Sequence, residues 1–240
     1  MNETNSLKQS APIHDELFYW ENIVFLVENT LFKAPRYHFE NFSEVFKTMF
    51  TLPHRDGVGV DGSSDEYPLV LQDITAQEFR SLLNVMLHLE LPLLTNEAWL
   101  DVLKLSNMWR LVNIRNIAIR ELSNRDDMSF VDNIVWGRCY KVAAWVIKGY
   151  SGLIDRGEVV SLEEAVRIGI QATLNIWRSQ SLFGRYSGRS YRPGGSSNAV
   201  LDVFEEEIRE VRREQAEYGP EELVPTRPSS PGKPSDPQWF

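Results

Sequence analysis

The order of sequence patterns between residues 20 and 122 constrains this chain more than any single motif does. Alternating apolar residues at 22–28 predict a strand, and a second strand is predicted at 31–35. A third short strand, at 68–71, is followed only by patterns with helical spacing. This order predicts an α+β body in which a small sheet lies against helices.

The first predicted strand is apolar on both faces. Its central residues are Ile23, Val24, Phe25, Leu26 and Val27. Because successive side chains of a strand point to opposite faces, this strand is predicted to lie inside a sheet or beneath helices. Pro35 has no amide hydrogen, so it is predicted to end the second strand and turn the chain toward a helix.

Capping residues mark the predicted helix starts. A side-chain oxygen just before a helix accepts a hydrogen bond from the first turn, and a glutamate three positions later can reciprocate. Four such starts are predicted, at Ser43, at Thr75 with Glu78, at Thr95, and at Ser161 with Glu164. A short corner near residue 110 separates the helix after Thr95 from the next one. These two helices are predicted to form a hairpin.

Composition and charge narrow the classes of function. A formal net charge of −9 over 240 residues disfavours nucleic-acid binding by the whole protein, since such binding needs clustered Lys and Arg. The single cysteine, Cys139, cannot form an internal disulfide, which suits a reducing compartment. No run approaches the ~20 apolar residues of a membrane helix. We therefore expect a cytoplasmic or nuclear protein without a membrane segment.

Residues suited to catalysis or metal binding are scattered. The histidines at positions 14, 38, 54 and 88 are never paired at helical spacing with each other or with a cysteine, so no metal site is predicted. Cys139 has apolar neighbours and is predicted to be a buried structural thiol. Acidic groups such as 126–127 and 205–207 are interpreted as solvated helix charges. Without a phosphate-binding or nucleophile motif, we predict no enzyme activity, no catalytic residues and no cofactor.

Three stretches of the chain resemble a known family. They read FYWENIVFLVENTLFKAPRYHFENFSEVFKTMFTLP, DGSSDEYPLVLQDITAQEFRSLLNVML and EAWLDVLKLSNMWRLVNIRNIAIREL. Over residues 18–122 they are similar to the BTB/POZ domain, in the divergent form typical of mushroom-type fungi. The resemblance implies an α+β domain with a small sheet flanked by helical hairpins, whose recurrent task is protein association.

The resemblance also implies candidate partners. It favours a non-catalytic protein–protein interaction module that self-associates or acts as an adaptor, and a homodimer is one expectation. Some relatives bind a cullin scaffold through a hydrophobic–x–acid pattern after a main helix. The nearest match here is His88, Leu89 and Glu90, whose first residue is of a different type. Animal relatives also carry histidine where this chain has Pro35.

Residues 123–181 are predicted to be a helical extension packed on that domain. The stretch NIVWGRCYKVAAWVIKGYSGLIDRGEVVSLEEAVRIG is similar to the extension of the same fungal proteins. One helix with a wide apolar stripe is predicted after Ser161, with Gly169 suited to a close helix contact. The stripe comprises Leu162, Ala165, Val166, Gly169, Ala172, Thr173, Ile176 and Trp177. Tryptophans at 99, 109, 136, 145 and 177 are predicted core anchors.

The last segment, residues 182–240, is predicted to be a largely disordered tail with one amphipathic helix at 198–217. That helix has an apolar stripe predicted to bind a partner surface, either the protein's own body or another chain: Leu201, Phe204, Ile208 and Val211. The Arg/Tyr-rich segment 184–192 supports an alternative function, a nucleic-acid-associated regulator, because guanidinium and aromatic planes stack on bases. The acidic helix that follows would repel phosphates, so protein binding is favoured over nucleic-acid binding.

Overall fold

A three-stranded sheet forms near the start of the chain. In the computed structural model its strands are β1 (Asn22–Val27), β2 (Thr30–Pro35) and β3 (Leu69–Leu71). β1 lies in the centre, antiparallel to β2 and parallel to β3. The structure describes residues 13–15, 19–51, 60–87, 93–125, 127–186 and 200–218, with the backbone alone at 182–186.

The central strand is covered on both faces, as the sequence predicts. Val24 and Phe25 point to opposite faces, and both are buried. Pro35 is the last residue of β2, an edge strand, where a missing amide hydrogen removes no bond to a further strand. The loop before β3 also contacts β1, because the Val24 amide donates to the Gly62 carbonyl at 2.8 Å.

Three helices accompany the sheet: α1 (Arg36–Phe42), α2 (Glu44–Thr51) and α3 (Ala76–Leu87). The predicted caps are confirmed. The Phe46 amide donates to Ser43 Oγ at 3.2 Å. Thr75 and Glu78 exchange both bonds of a capping box, at 2.8 and 3.1 Å. Local hydrogen bonds thus fix where α2 and α3 begin.

Phenylalanine rings fill the core beside the sheet. Phe25 of β1 lies 4.7 Å from Phe39 and 5.2 Å from Phe79, measured between ring centroids. Phe39 lies 5.1 Å from Phe46. All four side chains are fully buried. One residue from the central strand therefore joins three helices in an aromatic cluster.

The chain divides into two compact units, and the division falls after Arg80, inside α3. The second unit contains the helices α4 (Asn96–Met108), α5 (Val112–Arg125), α6 (Phe130–Tyr140), α7 (Ala143–Arg156), α8 (Leu162–Ile168), α9 (Ile170–Tyr186) and α10 (Glu205–Ala216). Residues 200–203 are also helical. The predicted borders at 18–122, 123–181 and 182–240 stay a prediction.

Two helical hairpins organise the second unit. α4 packs against α5, as predicted, and α6 packs against α7. Thr95 caps α4, and Ser161 with Glu164 forms a complete capping box on α8. At Gly149 of α7 a Cβ would lie 2.5 Å from the Phe130 carbonyl oxygen, so only glycine permits this backbone approach. The hairpin α6–α7 then shares an aliphatic core with α8, α9 and α10.

The structure corrects the predicted helix after Ser161. Two helices, α8 and α9, replace it, because Gly169 adopts a left-handed φ of 92° and interrupts the helix. No atom lies within 4 Å of a Cβ built at Gly169, so this glycine makes no close helix contact. Only part of the predicted stripe is inside. Ala172 and Ile176 are buried, whereas Leu162, Val166 and Trp177 are exposed.

Two predictions about individual core residues were also wrong. Cys139 is exposed, because the buried face of α6 is formed by positions such as Val131, Ile134 and Gly137, and residue 139 falls on another face. Trp177 is exposed and Trp136 is half-buried, whereas Trp99, Trp109 and Trp145 are buried as predicted.

Candidate interaction surfaces

The first unit carries an exposed group of aromatic side chains, here named the aromatic surface: Trp20, Tyr37, His38 and Phe42. The rings of Trp20 and Tyr37 are stacked with centroids 6.1 Å apart, and His38 stacks on Phe42 at 5.9 Å. His38 also meets both Trp20 and Tyr37 edge-on. Trp20, Tyr37 and Phe42 remain 43–49% exposed. This arrangement presents clustered apolar rings to solvent.

The local sequence explains why these rings point outward. Pro35 ends β2, so α1 begins at once, and its single buried side chain is Phe39. His38 and Phe42 are four residues apart and share another face of the helix. The sequence patterns did not predict this surface. The i, i+4 spacing of His38 and Phe42, out of phase with Phe39, places them on a separate face of α1 but does not show which face is exposed.

The second unit has an exposed apolar face of its own on α8 and α9. It comprises Leu162, Val166, Ile170, Leu174 and Trp177. Leu162 is 84% exposed, Val166 78% and Ile170 77%. On each of the two helices the spacing is three or four residues, so each set shares one side of its helix. Large apolar side chains are therefore exposed in both units.

The predicted partner-binding stripe near the end of the chain lies against the protein's own second unit. Phe204, Ile208 and Val211 are buried in the aliphatic core, and Leu201 is half-buried against it. The ring of Phe204 stacks on Tyr150 of α7 at 3.7 Å. Of the two predicted surfaces for the stripe, own body or another chain, the structure places it on the first. Binding of another protein through these four residues stays a prediction.

A polar network fixes α10 beside α6 and α7. The Arg138 guanidinium donates to Glu207 at 2.6 Å and to the Tyr150 hydroxyl at 2.5 Å. The Tyr150 hydroxyl in turn donates to Glu207 at 2.9 Å. Burial, followed by the nearby Glu207 carboxylate, raises the pKa of Tyr150, so the phenol keeps its proton and remains a donor. We name these three side chains the Arg138 network.

A cleft beside α8 brings several ionisable groups together. Arg156 donates two hydrogen bonds to Glu164, at 2.8 and 3.0 Å, and the Ser161 amide donates to the same carboxylate. These donors lower the pKa of Glu164 to about 2. A general base works best with a pKa near the operating pH, so this glutamate is suited to capping rather than proton transfer. Among the described residues no cluster of His, Cys, Asp or Glu could hold a metal ion.

Other predicted features fall outside the described part of the chain. These are residues 88–90, the nearest match to a cullin-binding pattern, and residues 187–192 of the Arg/Tyr-rich segment. Most of the predicted tail lies there as well. Of the helices in the described ranges, none has the length and apolar character needed to cross a membrane.

Comparison with known families settles what the first part of the chain is. A family model described as "BTB/POZ domain" matches residues 18–125. The chain carries a BTB/POZ domain. The match agrees with the resemblance found in the sequence and, together with the small mixed sheet and the following helices, confirms the predicted α+β fold. No curated protein matches the chain.

The BTB/POZ domain is a protein–protein interaction module, typically without catalytic activity. The matched residues contain the whole aromatic surface. They also include α4 and α5, the first helical hairpin of the second unit. The narrower likeness to fungal members stays a prediction.

Proposed function

We propose that this chain is a non-catalytic module that self-associates through the aromatic surface of its BTB/POZ domain. The observation that carries the proposal is the exposure of Trp20, Tyr37 and Phe42, which contact other rings of the same surface while roughly half of each remains open to solvent. Tryptophan and tyrosine are enriched at the centres of protein interfaces, where their burial supplies much of the affinity.

The size of this surface fits the centre of an interface. Aromatic side chains present about 150–250 Å² each, so three that are half exposed offer roughly 300 Å². A standard interface buries ~800 Å² on each partner, with an apolar centre and a polar rim. The aromatic surface can supply that centre, and polar residues around it would supply the rest.

The local charge beside this surface is compatible with a second copy of the chain as the occupant. Two chains that each carry a net charge of −9 repel one another unless the surfaces that meet are close to neutral. Beside the aromatic rings, Arg36 and Glu40 neutralise each other at 2.6 Å. A two-fold axis through this surface would bring identical apolar rings of the two chains together.

An adaptor role extends the proposal. A BTB/POZ domain that self-associates through the aromatic surface leaves the helices beyond residue 125 to carry a second protein, and a cullin scaffold is one candidate partner. We place this activity in the cytoplasm or nucleus. The nucleic-acid alternative stays a prediction, since the arginines on which it depends lie where the structure describes no side chains.

Light scattering after gel filtration tests the self-association. At tens of micromolar the unmodified chain should have the mass of a dimer. Phe42→Asp should raise the dimer dissociation constant about 30-fold or more, as expected for an interface residue worth ~2 kcal/mol. Leu31→Asp is the matched control, because Leu31 is also exposed in the first unit but lies outside the aromatic surface.

Two results would contradict this proposal. One is a monomer for the unmodified chain at these concentrations. The other is an equal effect of Phe42→Asp and Leu31→Asp on the measured mass, with circular dichroism showing both variants folded.

A further inference from the structure

An arginine-lined cleft lies in the second unit between α5, α7 and α10. Its volume is about 960 Å³. Arg115, Arg120 and Arg212 line it together with the apolar side chains of Ile119, Val142 and Ile147. Among the described residues that line this cleft, none is acidic. In a chain with an excess of nine negative charges, three arginines have gathered in one concave site.

The deepest of these cations lacks a carboxylate partner within the described residues. Arg115 is 3% exposed and donates to the Tyr140 carbonyl at 2.6 Å and to Asn107 Oδ1 at 3.3 Å. The Tyr218 ring lies 4.4 Å from its guanidinium carbon. These acceptors are neutral, although the carbonyl belongs to the negative end of α6. The buried charge is therefore solvated by dipoles rather than cancelled by an anion.

The two arginines nearer solvent are the ones available to a ligand. Arg120 is exposed, and its one ion pair within the described ranges is with its chain neighbour Glu121, at 3.5 Å. Arg212 is exposed and forms no ion pair with any described residue. Other arginines of α10 differ, since Arg209 and Arg213 each pair with a glutamate of the same helix. The unpaired cation of α10 is the one that faces the cleft.

We propose that this cleft binds an acidic peptide segment of a partner protein. Carboxylates of the peptide pair with Arg120 and Arg212, and an aliphatic side chain of the peptide packs against Ile119, Val142 and Ile147. Guanidinium groups suit this task because they bind carboxylates with two parallel hydrogen bonds. The buried charge of Arg115 adds an attractive potential at the floor of the cleft.

The mixed lining favours a peptide over other anions. A small inorganic anion would leave the apolar wall unused. A nucleic acid needs many cations along an extended track, whereas here three are gathered in one cleft and the net charge of the chain would repel a polyphosphate. The proposal goes beyond self-association, because the cleft uses none of the aromatic surface.

Fluorescence anisotropy with the full chain tests the proposal. The probe is a fluorescein-labelled decapeptide with four glutamates and two leucines, and in its control peptide glutamine replaces each glutamate. The acidic peptide should bind the chain and the glutamine peptide should bind at least ~10-fold more weakly, as for loss of a charge-assisted pair. Arg212→Ala and Arg120→Ala should each weaken binding about 5-fold or more.

A matched variant distinguishes the loss of a cleft arginine from the loss of any positive charge on the same helix. Arg209→Ala removes the same charge from the same helix but from a residue outside the cleft, and it should leave the dissociation constant within ~2-fold. Equal weakening by Arg209→Ala and Arg212→Ala would overturn the proposal, as would equal binding of the two peptides.

A second variant distinguishes a partner's peptide from the chain's own acidic residues, Glu221 and Glu222, which follow α10 in the sequence. If the unmodified chain fails to bind the acidic peptide up to 1 mM, the proposal is wrong. If Glu221→Gln with Glu222→Gln then permits binding, the occupant is this segment of the chain itself. Because none of these variants touches the aromatic surface, their outcome is independent of the dimer measurement.

Discussion

The interiors of the two units of this protein are stabilised by different kinds of side-chain contact. In the first, four phenylalanine rings from β1, α1, α2 and α3 form a core without a polar member. In the second, an aliphatic core is accompanied by the Arg138 network, which ties α6 and α7 to α10. A sheet already fixes the register of its strands through backbone hydrogen bonds. Helices that pack side by side share no backbone hydrogen bonds, and in the second unit the Arg138 network supplies directional contacts between them.

Further contacts of α10 support this difference. The Ala143 amide at the start of α7 donates to Gln215 at 3.0 Å, and Lys141 pairs with Glu214 at 2.7 Å. These bonds lie along one side of α10, together with Glu207 and the buried Ile208 and Val211. A helix rich in charge thereby acquires one defined position on a largely apolar core.

The largest effect is expected from a cavity in the first unit. Phe39→Ala removes a fully buried ring that contacts Phe25 and Phe46, and should lower the free energy of unfolding by about 3–5 kcal/mol. Urea titration followed by circular dichroism measures this loss. Asn41→Ala, at an exposed position of the same helix outside the aromatic surface, should lower it by less than ~1 kcal/mol. Similar losses for both variants would show that the aromatic cluster is not the source of stability.

A smaller effect is expected from removing a charge in the second unit. Glu207→Gln keeps the shape of the side chain but removes the anion that accepts from Arg138 and Tyr150. Because the pair is about one-third exposed, the free energy of unfolding should fall by only about 1–2 kcal/mol. Glu206→Gln, exposed on the same helix, should change it by a few tenths of a kcal/mol.

Hydrogen exchange sharpens this test. In Glu207→Gln the amides of α10 should exchange faster than in the unmodified chain, since the network positions that helix. Unchanged protection of α10 would mean that apolar burial alone holds it, and the contrast between the two units would disappear.

The smallest expected effect is the pH-dependent contribution of Glu164, at the start of α8, to the free energy of unfolding. Donors from Arg156 and Ser161 lower the pKa of Glu164 to about 2, below the ~4.3 expected for an unfolded chain. The stabilising contribution of Glu164 is therefore present above pH ~5 and is lost as the pH falls toward 2. Glu164→Gln should lower stability at pH 7 by less than ~1 kcal/mol, and the difference from the unmodified chain should shrink toward zero near pH 2.

Urea titrations at several pH values between 7 and 2 measure that difference. Glu163→Gln is the control, because Glu163 is exposed and adjacent in the sequence. A difference that stays constant over this range would show that Glu164 is not stabilised by its donors in the folded protein.

Much of the fold could be predicted because its signals are local. The strands and the caps at Ser43, Thr75, Thr95 and Ser161 each depend on a few neighbouring residues. The candidate surfaces could not be predicted in this way. Whether Phe42 is exposed while Phe39 is buried depends on which side of α1 meets the sheet, and neither residue type specifies that side.

The sequence by itself determined where the strands lie and where the capped helices begin, and it indicated the BTB/POZ domain, because backbone hydrogen bonding, capping and apolar periodicity act over a few residues. The tertiary structure decided which apolar side chains are covered. The Phe204 ring packs on the Tyr150 ring, whereas Leu162, Val166 and Cys139 are exposed. It also decided that Arg115, Arg120 and Arg212 share one cleft. Such outcomes depend on packing between elements far apart in the chain, which no local pattern specifies.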